Sequence, residues 1–192
     1  TIDRGDKAKA DAAFEKAAHV ITLDLVNNRV SPNTMEPRAC AATVDPADGR
    51  ITLYTGSQNP HGLRPTMAVE VLKIPETQLR VVSPDVGGGF GMKNNCFPED
   101  VLCCHAARTL GMPVRWTSTR AEGLMTDHHG RDMVCRGELA LDGDGKIVGL
   151  RAQTAFALGA YIASGGPVPP LLGTTIFTGC YDIPAAHVHA DV

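Results

Sequence analysis

Apolar residues occur in short runs separated by turn-forming residues, and the pattern predicts both strands and helices along the chain. Residues 6–18 predict a helix, because Gly5-Asp6 stands at its start and alanines run through it. Residues 20–30 have the apolar density of a strand. Residues 187–192 resemble an unfinished strand and the chain opens without Met, so we expect it to be a piece of a longer polypeptide.

Two hairpins are predicted from turn chemistry. Residues 39–44 and 51–55 flank a cluster of Asp, Pro and Gly, which is typical of a turn between strands. Residues 132–141 and 146–156 flank Asp-Gly-Asp-Gly in the same way. The second turn begins like a calcium loop, but its twelfth position is Gln153 instead of the bidentate Glu that such a loop uses.

Two segments that follow the first hairpin predict helices. Pro65 fits the first turn of a helix whose apolar stripe includes Met67 and Val71. Pro98 opens another helix, with acidic residues in its first turn and Gly111 after its end. Its shortage of polar positions indicates a buried helix.

The remaining segments complete the expected fold. Residues 79–82 and 112–116 predict short strands, and residues 118–125 predict a helical turn. Residues 159–173 are rich in Gly and Pro, so we expect them to be irregular. The predicted class is α+β, with layered hairpins or a mixed sheet and helices.

Composition and charge exclude some functions. The chain has 192 residues, of which 43% are apolar and 20% charged, and its net charge is −3. These values give no electrostatic reason to expect binding to nucleic acid or to an acidic membrane. No apolar run approaches the roughly 20 residues that a membrane-spanning helix needs.

Cysteine and histidine spacings do not predict a metal site in this chain. The six cysteines contain no C-x-x-C pair, so small buried side chains in a reducing, cytoplasmic compartment are the favoured interpretation. His187 and His189 would share one face of a strand, and His128-His129 lie near an aspartate. Neither pair has a third ligand at a recognisable spacing, so we expect hydrogen-bonded or exposed histidines.

A glycine-rich segment is the strongest candidate for chemistry. Residues 87–91, here called the glycine loop, read Gly-Gly-Gly-Phe-Gly and follow the strand at residues 79–82. Without Cβ atoms the backbone can take positive φ values and approach a ligand closely. Successive free amides also form a nest for oxo or phosphate groups. The loop fits neither a dinucleotide fingerprint nor a P-loop, because Met92-Lys93-Asn94 follows it. A surface turn therefore remains an open alternative.

Two polar residues lie upstream of this loop. Gln58 is a neutral amide just past a predicted strand, and it can donate a hydrogen bond to an oxo group or cap its own loop. Glu36 precedes Pro37, and either a structural hydrogen-bonding role or an ordinary strand-end carboxylate is consistent with its position.

The motifs in their order resemble one family over nearly the whole chain. They are Asn33-Thr34-Met35-Glu36-Pro37, Thr55-Gly56-Ser57-Gln58-Asn59-Pro60-His61, the glycine loop with Met92-Lys93, Gly111-Met112-Pro113-Val114-Arg115-Trp116, Thr119-Arg120-Ala121-Glu122, Gly159-Ala160-Tyr161 and Tyr181-Asp182-Ile183-Pro184. This series resembles the molybdenum-binding large subunits of the xanthine dehydrogenase and aldehyde oxidase family, and most of all those of the carbon monoxide dehydrogenase type. Any single motif would be weak, but the ordered series is specific.

The resemblance implies a cofactor site and a domain division. In the family, the Gln of Ser-Gln-Asn contacts the apical oxo group on molybdenum, which corresponds to Gln58. The Gly-Gly-Phe-Gly element lies against the dithiolene and the metal oxygens, which carries over to Gly88, Gly89, Phe90 and Gly91. Residues 1–30 are then a lead-in segment, and residues 31–192 are the first part of a molybdenum-cofactor-binding domain. No residue of this chain is expected to ligate the metal.

Two departures from the family bear on the substrate pocket. Purine-oxidising members carry a Glu where this chain has Asn94, and an Arg where it has Leu172. Both charges that hold a purine are absent, so purine hydroxylation is not expected. A small carbonyl, carbon monoxide or a heterocycle remains open as the substrate.

The resemblance also implies partners and a division of labour. The cofactor would be molybdopterin, in the cytosine dinucleotide form in a bacterial protein, with 2Fe-2S and FAD on partner subunits or domains. The family's catalytic Glu lies further along the polypeptide, so we expect the isolated chain to be inactive. An alternative is a non-catalytic module that binds an anionic nucleotide through the glycine loop.

Overall fold

The computed structural model describes residues 1–163 and 165–192, which form two compact units. The central unit comprises residues 31–129, and the flanking unit comprises residues 1–30 together with residues 130–192. Each unit contains one sheet with helices, so the predicted α+β class is confirmed.

The strands and helices follow each other in mixed order along the chain. In order they are β1 (Ile2–Gly5), α1 (Lys7–Glu15), β2 (His19–Asn27), β3 (Ala39–Val44), β4 (Ile51–Thr55), α2 (Pro60–Pro65), β5 (Leu79–Val82), α3 (Pro98–Leu110), β6 (Val114–Thr117), α4 (Arg120–Thr126), β7 (Met133–Leu141), β8 (Ile147–Phe156), α5 (Val168–Gly173) and β9 (Ala186–Asp191).

The central unit is a four-stranded sheet in the order β5-β4-β3-β6. β3 and β4 form the predicted antiparallel hairpin with the predicted bounds, and β5 runs parallel to β4. Helix α3 packs on β3. The apolar core of this unit includes Leu53, Met67, Leu79 and Cys104. The parallel pairing of β5 brings its carboxyl end, and hence the glycine loop, to the same edge as the end of β4.

Two helices of the central unit begin as their sequences dictate, one of them earlier than expected. α3 starts at Pro98 and ends before Gly111, which has a φ of +64°. α2 starts at Pro60, because the Asn59 side chain accepts a hydrogen bond from the Gly62 amide and Pro60 occupies the first turn. Pro65 therefore lies at the end of α2, where a π-helical segment, Thr66–Leu72, continues the helix.

The flanking unit is a five-stranded sheet in the order β1-β9-β8-β7-β2. The predicted hairpin of β7 and β8 is confirmed, and Asp142 in its turn accepts hydrogen bonds from the amides of Asp144 and Lys146. β9 runs parallel to β8 and antiparallel to β1, so the predicted closing strand is an interior strand of this sheet. Helix α1 packs on β8 and begins at the expected cap, Asp6.

One feature of the flanking unit differs from the expectation. Residues 168–173 form helix α5, with Pro169 and Pro170 near its start, although the Gly- and Pro-rich composition predicted an irregular segment. Proline is compatible with a first helical turn, which explains the difference. Residue 164, inside that predicted segment, lies outside the described residues. Every residue of the edge strand β2 is exposed, including Leu23 and Val26.

The division into a lead-in segment and a domain from residue 31 stays a prediction. Within this chain, residues 1–30 pack with residues 130–192. Over the part of the chain that the structure describes, no helix combines the length and apolarity needed to cross a membrane.

Candidate functional site

The glycine loop connects β5 to a short 3-10 helix, Met92–Asn94, in the central unit. Gly88, Phe90 and Gly91 have φ values of +97°, +51° and +87°. Left-handed backbone is uncommon for a residue such as Phe90, so the loop holds a conformation that its surroundings must stabilise. The Phe90 side chain is 77% exposed.

Gln58 stabilises the middle of the loop from the end of β4. Its side-chain Oε1 accepts a hydrogen bond from the backbone amide of Gly91 at 2.9 Å. Its backbone amide donates to the Lys93 carbonyl, also at 2.9 Å. A Cβ on Gly89 would lie 2.3 Å from Gln58 Oε1, closer than any real Cβ contact. A side chain at position 89 would therefore displace the Gln58 side chain from its place against the loop backbone.

This arrangement leaves a set of neutral donors without partners. The Gly91 N–H needs an acceptor, so the side-chain atom of Gln58 that faces it is assigned as the carbonyl oxygen. The side-chain nitrogen of Gln58 then remains available to donate to another acceptor. Among the described residues, the backbone amides of Gly88, Gly89 and Phe90 likewise have no hydrogen-bond acceptor. Successive free amides next to a side-chain amide donor suit a group that bears oxo or phosphate oxygens.

Beside the loop, the buried Lys93 forms an ion pair with Glu36, whose side chain is 40% exposed. Lys93 Nζ donates to Glu36 Oε2 at 2.6 Å and to the Glu36 carbonyl at 2.9 Å, and the Lys93 side chain is 1% exposed. Glu36 Oε2 also accepts from the Gly87 amide at 2.9 Å. The hydrogen bond from Lys93 is the main reason that the pKa of Glu36 is lowered. Of the two interpretations left open for Glu36, these contacts support the structural hydrogen-bonding role.

The segment that carries Glu36 is itself held from the far side. Thr34 Oγ1 donates to the Glu36 carbonyl at 2.6 Å. The Arg120 guanidinium donates to Asn33 Oδ1 at 2.7 Å and to the Met35 carbonyl at 3.2 Å. Residues 33–36 are therefore a rigid support against which the loop is placed.

A second buried cation, Arg38, joins β3 to both neighbouring helices. Its Nε donates to Asp127 at 2.6 Å, and its other nitrogens donate to Glu99 at 2.7 Å and Thr126 at 3.2 Å. The guanidinium also lies over the Phe97 ring, 3.9 Å from its centroid. Burial opposes the charge, but the hydrogen bonds to Glu99 and Asp127 raise the pKa of Arg38.

His128 lies next to this cluster, half-buried against the Phe97 ring. Its ring stacks on Phe97 with centroids 5.1 Å apart, and its Nδ1 is 2.9 Å from Asn95 Nδ2. Burial is the main cause that lowers the pKa of His128, and Arg38 lowers it further. A neutral, stacked imidazole of this kind packs between the α4 end and the segment after the glycine loop.

The structure brings together most of the residues singled out in the sequence. Gln58, Gly88, Gly89, Phe90 and Gly91 lie in one place, and Asn94 is exposed at the end of the short helix that follows. Leu172 belongs to α5 in the flanking unit.

Sequence reasoning did not single out Lys93 or Arg38 as functional residues. The available signal was their position, because Lys93 directly follows the glycine loop and buried Met92, and Arg38 directly precedes an apolar strand. A cation in an apolar context needs a partner, and both cations have one.

Neither histidine nor cysteine forms a metal site within the described residues. His187 and His189 both contact Asp3 Oδ1, at 3.2 and 3.0 Å, as expected for hydrogen-bonded histidines. Cys40, Cys103 and Cys104 are buried as predicted, whereas Cys180 is exposed. The thiol pKa of Cys104 is raised to about 12, chiefly by burial.

Comparison with known proteins identifies relatives of the whole chain. The sequence model of the family described as "Molybdopterin cofactor-binding domain" matches residues 1–192. The carbon monoxide dehydrogenase large chain of Hydrogenophaga pseudoflava is 41% identical over 97% of this chain. The 6-hydroxypseudooxynicotine dehydrogenase complex subunit gamma of Paenarthrobacter nicotinovorans is 39% identical over 94% of it.

A solved structure agrees with the sequence relatives. Quinoline 2-oxidoreductase from Pseudomonas putida 86 superposes with a TM-score of 0.90 and 32% identity, over 98% of this chain and 24% of that one. The chain likewise spans 23% of each of the two sequence relatives. The similarity therefore covers all of this chain but about a quarter of each relative.

Proposed function

Because the chain belongs to the molybdopterin cofactor-binding domain family, we propose that it forms part of the cofactor cradle in the large subunit of a molybdenum-dependent oxidoreductase. One observation carries the proposal: Gln58 uses its oxygen to hold Gly91, which leaves its amide nitrogen as a donor beside the partnerless amides of residues 88–90. These neutral donors fit the oxo and dithiolene side of such a cofactor without adding charge to the metal.

Each residue of the site has a distinct part in this proposal. Gln58 would donate a hydrogen bond to an oxygen of the cofactor through its side-chain amide, and the backbone of Gly88, Gly89, Phe90 and Gly91 would lie against the cofactor. Bound molybdenum supplies two-electron chemistry that uses water-derived oxygen. None of these donors accepts a proton, so in this proposal they bind and orient the cofactor and the acid-base group is another residue.

The finer assignments rest on the same family membership. We propose the cytosine dinucleotide form of molybdopterin, and 2Fe-2S and FAD on partner subunits or domains that receive the electrons. The large chain and the complex subunit gamma among the relatives support a multi-subunit assembly. A cytoplasmic location is proposed because the cysteines of the described residues are free thiols.

The proposed substrate is a small carbonyl, carbon monoxide or a heterocycle rather than a purine. Asn94 is exposed next to the loop and carries no charge, and Leu172 cannot supply a cation. Each missing charge-assisted hydrogen bond is worth roughly 1.5–3 kcal/mol of discrimination. Turnover of xanthine comparable to that of the best small substrate, measured on the assembled enzyme, would contradict this assignment.

The central test replaces the Gln58 donor without removing its acceptor. Gln58→Glu in the full-length enzyme keeps an oxygen for the Gly91 amide but loses the amide N–H. Loss of a hydrogen-bonded partner of a metal group typically costs about 10–100-fold in metal affinity or activity. We expect a fall of that size in turnover or in molybdenum content.

Asn59→Asp is the matched control, since it introduces the same charge one residue away. Asp is as good an N-cap as Asn, so α2 keeps its start at the Gly62 amide. We expect molybdenum content and turnover close to those of the wild type. Equal effects of the two variants, or no effect of Gln58→Glu, would refute the role of Gln58.

A further inference from the structure

We propose that Glu36 and Lys93 act as a positioning pair that holds the start and the end of the glycine loop at a set distance. The two residues do this without touching the group that the loop binds. The placement of the loop stands on geometry alone, whereas its effect on cofactor retention rests on the proposed function.

The start of the loop is held by Glu36 through side chain and backbone together. Glu36 Oε2 accepts from the Gly87 amide at 2.9 Å, and the Glu36 amide donates to the Gly87 carbonyl at 3.1 Å. A Cβ on Gly87 would lie 2.4 Å from Glu36 Cβ. The two backbones are therefore as close as a residue without a side chain allows.

The end of the loop is held by Lys93, which reaches the same carboxylate oxygen. Its Nζ contacts both Glu36 Oε2 and the Glu36 carbonyl, and its side chain is almost completely buried. One oxygen thus receives a donor from each end of the loop. The partners are 51 and 57 residues apart in the chain, so only the folded central unit brings them together.

The partly buried ion pair fixes position more than it adds stability. Glu36 is 40% exposed, so the pair itself contributes little net stability, but the buried Lys93 ammonium needs a countercharge and so restricts where the Glu36 carboxylate can lie. Because the ammonium is neutralised by Glu36, the loop presents its amides without a net charge from this pair. Position, rather than stability or charge, is what the pair contributes.

Amide hydrogen exchange of the full-length protein in its complex tests this directly. The peptide that covers residues 87–93 reports on the loop, and the peptide that covers β4 reports on the unfolding of the central unit. In Lys93→Met, which keeps the length of the side chain, we expect the loop to exchange at least about tenfold faster while β4 changes little. Glu76→Gln, which breaks the exposed Arg64–Glu76 pair, is the control and should leave both peptides unchanged.

A double variant, Glu36→Gln with Lys93→Met, separates positioning from stability. Glu36→Gln alone leaves a buried ammonium without its countercharge, so both peptides should exchange faster. The double variant removes both charges, so β4 should return to its wild-type rate while the loop stays fast. If the loop and β4 change by the same factor in every variant, or if the loop does not change, the positioning role is wrong.

Molybdenum content provides the second readout and distinguishes the two proposals. We expect the Lys93→Met protein to retain molybdenum about tenfold less well than the wild type, the lower end of the range for supporting residues. A wild-type protein without molybdenum would refute the proposed function, and the exchange data would still decide the positioning role. A variant that exchanges fast but retains molybdenum fully would show that the pair does not serve cofactor binding.

Discussion

Each unit of the molecule contains ion pairs, and two of these pairs, one from each unit, differ in burial. In the central unit the pair Arg38–Asp127 is buried, with side chains 6% and 8% exposed, and Lys93 is buried against Glu36. In the flanking unit the pair Arg136–Asp24 has side chains that are 55% and 71% exposed. Exposed pairs are screened by water and contribute little, whereas a buried charge that loses its partner is strongly destabilising.

The candidate site is distinguished by its contacts and not by the size of a cavity. The flanking unit has a cleft of about 270 Å³ with a mostly apolar lining, whereas the cavity beside the Lys93 side chain is about 10 Å³. The unpartnered donors nevertheless lie in the central unit, on a loop that buried charges hold in place. Preorganised polar groups, rather than volume, indicate where an oxo-bearing group would bind.

The largest expected effect comes from breaking the buried Arg38–Asp127 pair, and breaking the exposed Arg136–Asp24 pair provides the comparison. Arg38→Leu leaves Asp127 and Glu99 without their cation, and the expected loss is about 3–5 kcal/mol in the free energy of unfolding of the central unit. Arg136→Leu in the flanking unit should cost about 0–1 kcal/mol. Urea denaturation of both variants measures the two losses, and losses of equal size would refute the contrast.

A smaller effect is expected from adding one methyl group to a glycine in each unit. Gly89→Ala places a Cβ 2.3 Å from Gln58 Oε1, and it should displace the side chain and free the Gly91 amide. The expected loss is about 0.5–1.5 kcal/mol, the net contribution of a typical hydrogen bond, because the Gly91 amide is exposed and water can replace its partner. At Gly143, nothing lies within 4 Å of the added Cβ, so Gly143→Ala should change stability by less than about 0.5 kcal/mol. Thermal denaturation distinguishes the two, and an equal effect would contradict the close contact.

The smallest expected effect is a pH dependence in the flanking unit. Hydrogen bonding to Asp3 raises the pKa of His189 above 6.5, and hydrogen bonding from His189 lowers the pKa of Asp3 below 3.8. The histidine contributes stability below pH 6.5 that is lost as the pH rises through its raised pKa. The aspartate contributes stability above pH 3.8 that is lost as the pH falls through its lowered pKa.

The difference in the free energy of unfolding between the wild type and Asp3→Asn should therefore be largest between pH 3.8 and pH 6.5. Unfolding free energies measured in urea from pH 3 to pH 8 test this window, with Arg136→Leu as a variant outside the cluster. A difference that grows between pH 6.5 and pH 8 instead would contradict the assigned partners.

Much of the local structure was predictable because it depends on residues close together in the chain. The turn clusters at residues 45–49 and 142–145 predicted both hairpins, and Gly111 predicted the end of α3. Two local predictions were wrong where proline was misjudged. Asn59 starts α2 before Pro65, and α5 forms in a segment expected to be irregular.

The candidate site was predictable in its residue types and not in its supports. Gln58 and the glycine loop stood out because amides and glycines there suit an oxo-bearing ligand, and the roles of these residues remain proposals. The contact that orients Gln58, from the Gly91 amide, joins residues 33 positions apart. No local pattern indicates which of the two amide atoms of Gln58 is left for a ligand.

The sequence by itself determined most of the strands and helices, the turns between them and the family to which the chain belongs, because propensities, caps and motifs act over a few neighbouring residues. It did not indicate β1 or α5. Only the tertiary structure decided that β9 is an interior strand of its sheet, and that Arg38 and Lys93 are buried against carboxylates. The free energy of a charge depends on its burial and on its partner. Both are set by contacts between residues far apart in the chain, as Lys93 and Glu36 are.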